Sequence, residues 1–205
     1  MNVNIIDKAK FISGHITGNS IADLGSEDTN WEENLHKHIE KFVKRIILRV
    51  DKYGNPHIIA DFNKRFKLKN KADTILAIEV IEHLENPLQF LKNCRDSIKK
   101  GGKIIITTPN ASGIPEMISS CTMEKIDMIE KKLYEISNNY RKPYPHRHFY
   151  SWNKHNFYAL ISLAGLKVEK FEYISFYWSK NIFFKFISNQ ITFLKPEMFI
   201  VLRKK

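Results

Sequence analysis

Short runs rich in isoleucine and valine alternate with amphipathic stretches along this chain, and that alternation limits the possible folds more than any other feature of the sequence. The clearest run, DTILAIEV at residues 73–80, contains the unbroken apolar stretch ILAI at 75–78. Such runs are typical of parallel strands that are buried on both faces, because helices cover both sides of the sheet. The pattern therefore predicts a doubly wound α/β fold with a mostly parallel sheet and helices on both faces.

The same alternation predicts seven strands and four helices. The strands are expected at 20–24, 45–51, 56–61, 73–80, 103–110, 166–177 and 197–205. The helices are expected at 4–17, 32–44, 86–98 and 153–165. No long helix separates the last two strands, so we expect this pair to supply an antiparallel edge.

Length, cysteine content and charge narrow the class of protein. The chain is long enough for one domain, expected at residues 1–205, and it has neither an apolar run that could cross a bilayer nor a secretion signal. Cys94 and Cys121 lack CxxC spacing, which favours reduced thiols and a cytoplasmic location. The net charge of +11 suggests nucleic acid, but the lysines are dispersed and form no stripe. A general lysine-rich composition is the favoured explanation of the charge.

Two blocks carry most of the functional signal, residues 75–110 and 146–174. The first contains EVIEHL at 79–84, then a helix, then KKGG at 99–102 and a strand that ends TPN. Together the blocks resemble class I S-adenosylmethionine-dependent methyltransferases, in particular the branch that includes the ubiquinone-biosynthesis O-methyltransferases, with its E-x-x-E-H-L, K-P-G-G and T-P-N patterns. Lys100 replaces the proline of that pattern. The resemblance implies a Rossmann-like, seven-stranded domain that uses S-adenosylmethionine.

The segment SIADLGSEDTNWEENLHKHI at 20–39 holds an altered form of the family's Asp-x-Gly-x-Gly-x-Gly loop. Asp23 and Gly25 match that pattern, whereas Glu27 and Thr29 replace two of its glycines. The distance of 51 − 23 = 28 residues from Asp23 to Asp51, against about 20 in such loops, indicates an insert. We interpret the segment as an altered cofactor loop, in which Gly25 lets the backbone approach the cofactor. The alternative is a site that has lost its cofactor.

The resemblance also places further cofactor-binding residues at the carboxyl ends of strands, where open α/β sheets bind their ligands. Asp51 ends the second strand, and its carboxylate could accept hydrogen bonds from both ribose hydroxyls. Asp61 and Phe62 resemble the pair that takes the adenine amino group and one face of the ring. Ile78 would cover the adenine or the ribose, and it is equally compatible with the core.

Candidate catalytic residues are three histidines. His146 and His148 lie in RKPYPHRHFYS at 141–151, in the region after the fifth strand that commonly covers the active site of such enzymes. Either imidazole, or that of His83, could take a proton from a hydroxyl acceptor. Glu79, Glu82 and His83 would share a face if their turn were helical, and could then bind a divalent ion. Most proteins with this pattern are not metal enzymes, so we expect no metal.

The sequence says less about the methyl acceptor and about the oligomeric state. Residues 111–150 and 177–195 are expected to be insertions that cover the substrate, and the aromatic, lysine-containing segment at 177–193 favours packing over membrane contact. We expect methyl transfer to an oxygen of a small-molecule, sugar or lipid-linked acceptor, by a monomer or a homodimer. Two alternatives stay open: a non-catalytic binding protein whose cofactor loop has decayed, and an RNA methyltransferase.

Overall fold

A computed structural model of the chain describes residues 2–25, 30–52, 55–114, 117, 148–178 and 190–205, with the backbone alone at 2–3, 30–34 and 177–178. Seven strands form the main sheet. They are β2 (Ile21–Leu24), β3 (Leu48–Asp51), β4 (Ile58–Ile59), β5 (Ala72–Ile78), β6 (Ile98–Pro109), β7 (Leu166–Ile174) and β9 (Glu197–Lys204). Two short strands, β1 (Asn2–Val3) and β8 (Tyr177–Trp178), pair with each other in antiparallel orientation apart from this sheet.

The strand order of the main sheet is β4-β3-β2-β5-β6-β9-β7. The first five strands in this order run parallel. β9 lies between β6 and the outermost strand, β7, and is antiparallel to both. β7 and β9 therefore form the expected antiparallel pair at one side of the sheet. The predicted doubly wound, mostly parallel seven-stranded sheet is confirmed.

Four described helices cover the sheet, and each face has its own core. The helices are α1 (Ile5–Ser13), α2 (Asn30–Val43), α3 (Pro87–Ser97) and α4 (Lys154–Leu163). One core joins α1 and α2 to residues of β5, β6 and β9, such as Leu76 and Ile105. The other joins α3 and α4 to the opposite face of the same strands, through residues such as Ile104 and Ile106. The alternation of Ile104, Ile105 and Ile106 between the two cores is the two-residue period of a strand that is buried on both faces.

Some boundaries differ from the expected ones. β3 begins at Leu48, three residues later than expected, and Ile46 is 85% exposed in the connection before it. β4 is reduced to two residues. α3 ends at Ser97 because the chain turns directly into β6, and it begins where the Asn86 side chain accepts a hydrogen bond from the backbone N–H of Gln89. Within the described parts of the chain, no helix has the length and apolarity that crossing a membrane requires.

Candidate functional site

The carboxyl ends of the parallel strands meet at one edge of the sheet. β2 runs into Gly25, whose φ is +92° and whose N–H donates to the carbonyl oxygen of Val50 at 3.0 Å. An added Cβ at Gly25 would lie 2.5 Å from Val80 Cγ2. Glycine is therefore required by the fold itself, through its backbone conformation and through the packing of Val80, in addition to any close approach by a ligand.

Asp51 ends β3 beside this turn and is 4% exposed. Its Oδ1 accepts a hydrogen bond from the backbone N–H of Lys52 at 2.6 Å. The backbone hydrogen bond between Gly25 and Val50 places the glycine next to the residue that precedes Asp51. Asp51 and Gly25, assigned to one ligand by sequence, therefore lie on neighbouring strand ends.

The other residues predicted to bind the cofactor, Asp61, Phe62 and Ile78, differ in their exposure to solvent. Asp61 is partly exposed; its Oδ1 accepts from the backbone N–H of Asn63 at 3.1 Å. The ring of Phe62 is buried, with centroids 5.7 Å from Phe66 and 5.4 Å from Phe90. Ile78, at the end of β5, is 5% exposed and belongs to the core beneath α1 and α2. The Phe62 and Ile78 side chains thus contribute to the core, whatever their backbones contact.

Asp23 contacts a residue that sequence analysis did not single out. His36 of α2 places its Nδ1 2.8 Å from Asp23 Oδ2, and both residues are buried. His36 Nε2 lies 3.3 Å from Glu40 Oε1, one turn further along the helix. Burial opposes the charged imidazole, but the hydrogen bond and charge of Asp23 and the charge of Glu40 outweigh it and raise the pKa of His36. The pair joins α2 to β2.

Glu79 lies just beyond β5 with an uncommon φ of +56°. Its Oε1 accepts a hydrogen bond from Thr107 Oγ1 at 2.6 Å and lies 3.3 Å from Nζ of Lys8, a residue of α1 that is 0% exposed. The Lys8 Nζ also lies 2.5 Å from Oε1 of Glu197, at the start of β9. Burial favours a neutral Glu79, yet the charge of Lys8 and the hydrogen bonds hold the pKa of Glu79 below its ordinary value. Burial and the charge of Glu79 raise the pKa of Glu197 to about 8.

The Glu82 carboxyl group is hydrogen-bonded to Thr108, the residue that follows Thr107 in β6. Its Oε2 accepts from Thr108 Oγ1 at 3.0 Å. Because neighbouring side chains of a strand point to opposite faces, Glu79 and Glu82 lie on opposite faces of β6. Residues Ile81–His83 form a 3-10 turn, but the turn is not helical at Glu79, so the condition for Glu79, Glu82 and His83 to share a face is not met. Burial, and then the charge of Glu79, raise the pKa of Glu82 well above its ordinary value.

His148 is brought to His83 from a distant part of the sequence. The two rings meet edge to face with centroids 4.8 Å apart. The backbone N–H of Phe149 donates to the carbonyl oxygen of Glu82 at 2.8 Å, and Tyr150 stacks on Trp152 with centroids 5.1 Å apart. Burial lowers the pKa of His148, against a smaller opposing effect from the charge of Glu79. His146, like Glu27 and Thr29 of the altered loop, lies outside the described residues.

Glu82, His83 and His148 could together hold a metal ion, because one ligand atom from each lies within 4.8 Å of the others. Glu82 Oε1 has no hydrogen-bond partner among the described residues, and it lies 4.0 Å from His83 Nε2. One carboxylate and two imidazoles are common ligands of divalent transition metals. This set contains His148 in place of Glu79, so it differs from the trio that the sequence suggests.

The donor and acceptor set at the strand ends also fits S-adenosylmethionine. The carboxylates of Asp51 and Asp61 are acceptors that suit ribose hydroxyls and an adenine amino group. Gly25 follows β2, the strand between β3 and β5, and its turn has no side chain that would occupy the space of a ligand. These residues could hold the cofactor at the edge where open α/β sheets bind nucleotides.

Comparisons with known proteins agree with this geometry. A family model described as "Methyltransferase domain" matches residues 2–170. The ubiquinone biosynthesis O-methyltransferase of Parvibaculum lavamentivorans is 47% identical over 38 residues, which are 18% of this chain and 15% of that protein. The match thus spans a small part of the curated relative.

Two solved structures show the shared fold. The CcbJ methyltransferase from Streptomyces caelestis superposes with a TM-score of 0.65 at 9% identity, over 98% of this chain and 95% of that one. The O-methyltransferase NcsB1 from neocarzinostatin biosynthesis, solved with S-adenosylmethionine and 2-hydroxy-5-methyl naphthoic acid, superposes with a TM-score of 0.59 at 11% identity. The overlap covers 96% of this chain and 53% of NcsB1.

The family match covers residues 2–170, most of the chain, and agrees with the fold. It confirms the expected class, a methyltransferase that uses S-adenosylmethionine. The chain belongs to the methyltransferase-domain family.

Proposed function

We propose that this protein transfers a methyl group from S-adenosylmethionine to an oxygen of a small-molecule acceptor. The contact between His83 and His148 beside Glu82 is the observation that carries the proposal, because it places imidazoles at the carboxyl edge of β5 and β6. In open α/β sheets this edge is where ligands bind. A hydroxyl acceptor with a high pKa benefits from a nearby base, and imidazole is the side chain that most often serves as one.

The residues that would hold the cofactor are Asp23, Gly25, Asp51 and Asp61. The contact with His36 fixes the side chain of Asp23. Phe62 and Ile78 would supply backbone and apolar surface beside the adenine. When bound, S-adenosylmethionine supplies an electrophilic methyl group on a sulfonium. The protein then has to place an acceptor oxygen in line with that group, and correct placement alone supplies a large part of the rate.

We propose that His148 is the general base that takes the proton from the acceptor hydroxyl. His146 and His83 are further candidates for this role. A lowered pKa leaves His148 neutral at physiological pH, so that one of its ring nitrogens can accept a proton. His83 contacts the His148 ring, and its Nε2 lies 4.0 Å from the buried carboxyl of Glu82, which suits His83 to orient His148. Metal-assisted activation of the acceptor by Glu82, His83 and His148 is the second mechanism that this geometry supports.

The acceptor is proposed to be a small molecule, a sugar or a lipid-linked precursor. The short similarity to a ubiquinone biosynthesis O-methyltransferase supports an oxygen as the methylated atom. We keep 1–205 as one domain and assign residues 111–150 and 177–195, which lie largely outside the described residues, to substrate-covering segments. The buried, free thiol of Cys94 is compatible with the reducing cytoplasm, where we place the protein.

Transfer of labelled methyl groups from S-adenosylmethionine into pools of phenolic, sugar and lipid-linked acceptors tests the proposal. We expect label in an extractable small molecule, and we expect turnover to survive a chelator because His148 acts as the base. Loss of turnover with chelator would support the metal-assisted mechanism. Cofactor binding without transfer to any acceptor would favour a non-catalytic protein, and label in RNA with a steep salt dependence would favour an RNA methyltransferase.

A further inference from the structure

A cavity of about 330 Å³ is lined by residues of α2, by Arg49 of β3 and by His57, which precedes β4. It is open to solvent, and its volume is at the lower end of the range of about 300–1,000 Å³ that is usual for small-molecule sites. None of the residues proposed for the cofactor or for catalysis lines it. The lining residues are His36, Lys37, Glu40, Ile46, Arg49 and His57.

The chemistry of the lining is that of an anion site. Its polar lining consists of two cationic residues, Lys37 and Arg49, one carboxylate, that of Glu40, and two imidazoles. Oε1 of Glu40 already accepts a hydrogen bond from the backbone N–H of Ile47 at 3.0 Å. Arginine and lysine side chains carry positive charge and present only N–H donors, so an anion with acceptor oxygens complements this lining.

The tautomer of His57 follows from its backbone contact. Its Nδ1 lies 3.0 Å from the backbone nitrogen of Arg49, which can only donate. Nδ1 is therefore the acceptor, and the proton of the imidazole has to be on Nε2. His57 thus has its ring N–H on the nitrogen that takes no part in the backbone contact.

Nε2 of His36 is the second imidazole nitrogen that could donate a hydrogen bond to a ligand. Nδ1 is occupied by Asp23 Oδ2 at 2.8 Å, which requires a proton on Nδ1. Nε2 is buried and has no hydrogen-bond partner among the described residues, although Glu40 Oε1 lies 3.3 Å from it. Buried polar atoms without a partner are rare in folded proteins and call for a ligand or a water. The raised pKa of His36 is consistent with a proton on this nitrogen as well.

We propose that this cavity binds the phosphate group of a small phosphorylated molecule, with His36 and His57 as donors and with Lys37 and Arg49 supplying positive charge. Phosphate suits the site because it offers several acceptor oxygens and carries the opposite charge. Ile46, which is 85% exposed at the rim, offers apolar surface to the remainder of such a molecule. The phosphate site has its own lining residues, one of which, His36, also contacts Asp23. Phosphate binding can therefore be tested whether or not the acceptor is known.

The test is calorimetric titration of the whole chain with inorganic phosphate and with phenyl phosphate, at about pH 6.5 and at constant ionic strength set with chloride. Two variants each remove one proposed phosphate donor, Nε2 of His57 or Nε2 of His36. Each variant keeps the hydrogen bond that Nδ1 of the same ring makes within the protein. In His57→Asn the amide oxygen can still accept from the Arg49 N–H, and in His36→Asn the amide N–H can still donate to Asp23. His155→Asn, at an exposed position of α4, makes the same change elsewhere.

We expect saturable binding at one site, tighter for phenyl phosphate because of Ile46. Each of His57→Asn and His36→Asn should weaken it about tenfold or more, as expected for losing a hydrogen bond to a charged group, and His155→Asn should not. Absence of saturable binding would overturn the proposal. Equal binding by all four proteins would also overturn it, because the net charge of +11 would then be the cause. If His36→Asn does not fold, the result with His57→Asn decides.

Discussion

Lys8 Nζ of α1 lies 2.5 Å from Glu197 Oε1 of β9, and both side chains are 1% exposed. Glu79 shares the same ammonium group from the end of β5. One cation thus faces two buried carboxyl groups, and burial of an unpaired charge is costly. The raised pKa of Glu197, about 8, means that it keeps its proton at neutral pH and leaves one ion pair, Lys8 with Glu79. The N-terminal helix is thereby fixed to the edge of the sheet that carries the site.

Glu197→Gln should remove a pH dependence of stability. The carboxyl of the unfolded chain loses its proton near the ordinary glutamate pKa of 4.5, whereas that of the folded protein keeps it up to about pH 8. The unfolded state therefore binds fewer protons in this window, and the unfolding free energy of the wild type falls as pH rises from 4.5 to about 8. The variant lacks this contribution, so its stability relative to the wild type should increase through that window and level off above it. Urea unfolding at several pH values measures the difference, and Glu85→Gln, at an exposed carboxyl, serves as control.

Gly25→Ala should weaken both the fold and cofactor binding. The positive φ alone costs about 1–2 kcal/mol for a residue with a Cβ, and the contact at 2.5 Å with Val80 adds to it. Val80→Ala should lower the melting temperature less in Gly25→Ala than in the wild type, because in the double variant it also removes the clash. Thermal unfolding of the two single variants and the double variant measures this coupling. A Gly25→Ala protein that melts like the wild type would contradict the described turn.

Asp51→Ala should weaken S-adenosylmethionine binding by about 1–3 kcal/mol, the cost of losing hydrogen bonds to a charged acceptor. Calorimetric titration measures the affinity, and the melting temperature shows whether the variant is folded. Asp96→Ala on α3 removes the same charge at a distance from the strand ends and should bind normally. Unchanged affinity in a folded Asp51→Ala protein would remove Asp51 from the cofactor site.

His148→Ala should lower turnover on the true acceptor by a factor of about 10²–10⁴, with cofactor affinity nearly unchanged. Because desolvation lowers the pKa of the His148 ring, the acid limb of wild-type turnover should lie below the ordinary imidazole pKa of about 6.5. The variant should lack that acid limb in its pH profile. If the double change His146→Ala and His148→Ala leaves turnover within a few fold, neither histidine acts as the base, and His83 becomes the candidate.

His36→Leu should destabilise the fold by about 1–3 kcal/mol, because it leaves the buried carboxylate of Asp23 without its donor. The pKa of His36 is raised in the folded state, so the contribution of its charge is complete below about pH 6.5 and is lost as pH rises through the folded pKa. The difference in unfolding free energy between wild type and variant should accordingly shrink as pH rises. His36→Asn keeps a donor to Asp23 and should cost less than His36→Leu at low pH. Equal stability of His36→Leu and wild type at every pH would show that the pair does not support the fold.

The sequence by itself determines the class of fold, because strand and helix periodicities depend on local spacing. The apolar run at 73–80 and the Ile104, Ile105 and Ile106 series predict strands buried on both faces, and the structure has them. The strand-end position of Gly25 and Asp51 also follows from local pattern, since parallel strands end at one edge. The burial of Lys8 also has a local signal: it lies three residues after Ile5 and four before Ile12, on the apolar side of its helix.

Only the tertiary structure decides which distant side chains meet. His148 reaches His83 across 65 residues (148 − 83 = 65) through backbone contacts that no local pattern encodes. Glu79 and Glu82 are three residues apart, yet the positive φ at Glu79 and the adjacent Thr107 and Thr108 send them to opposite faces of β6. The pairing of His36 with Asp23 likewise depends on how α2 packs on the sheet. Side-chain contacts are set by packing between elements, and sequence spacing fixes only the contacts within one element.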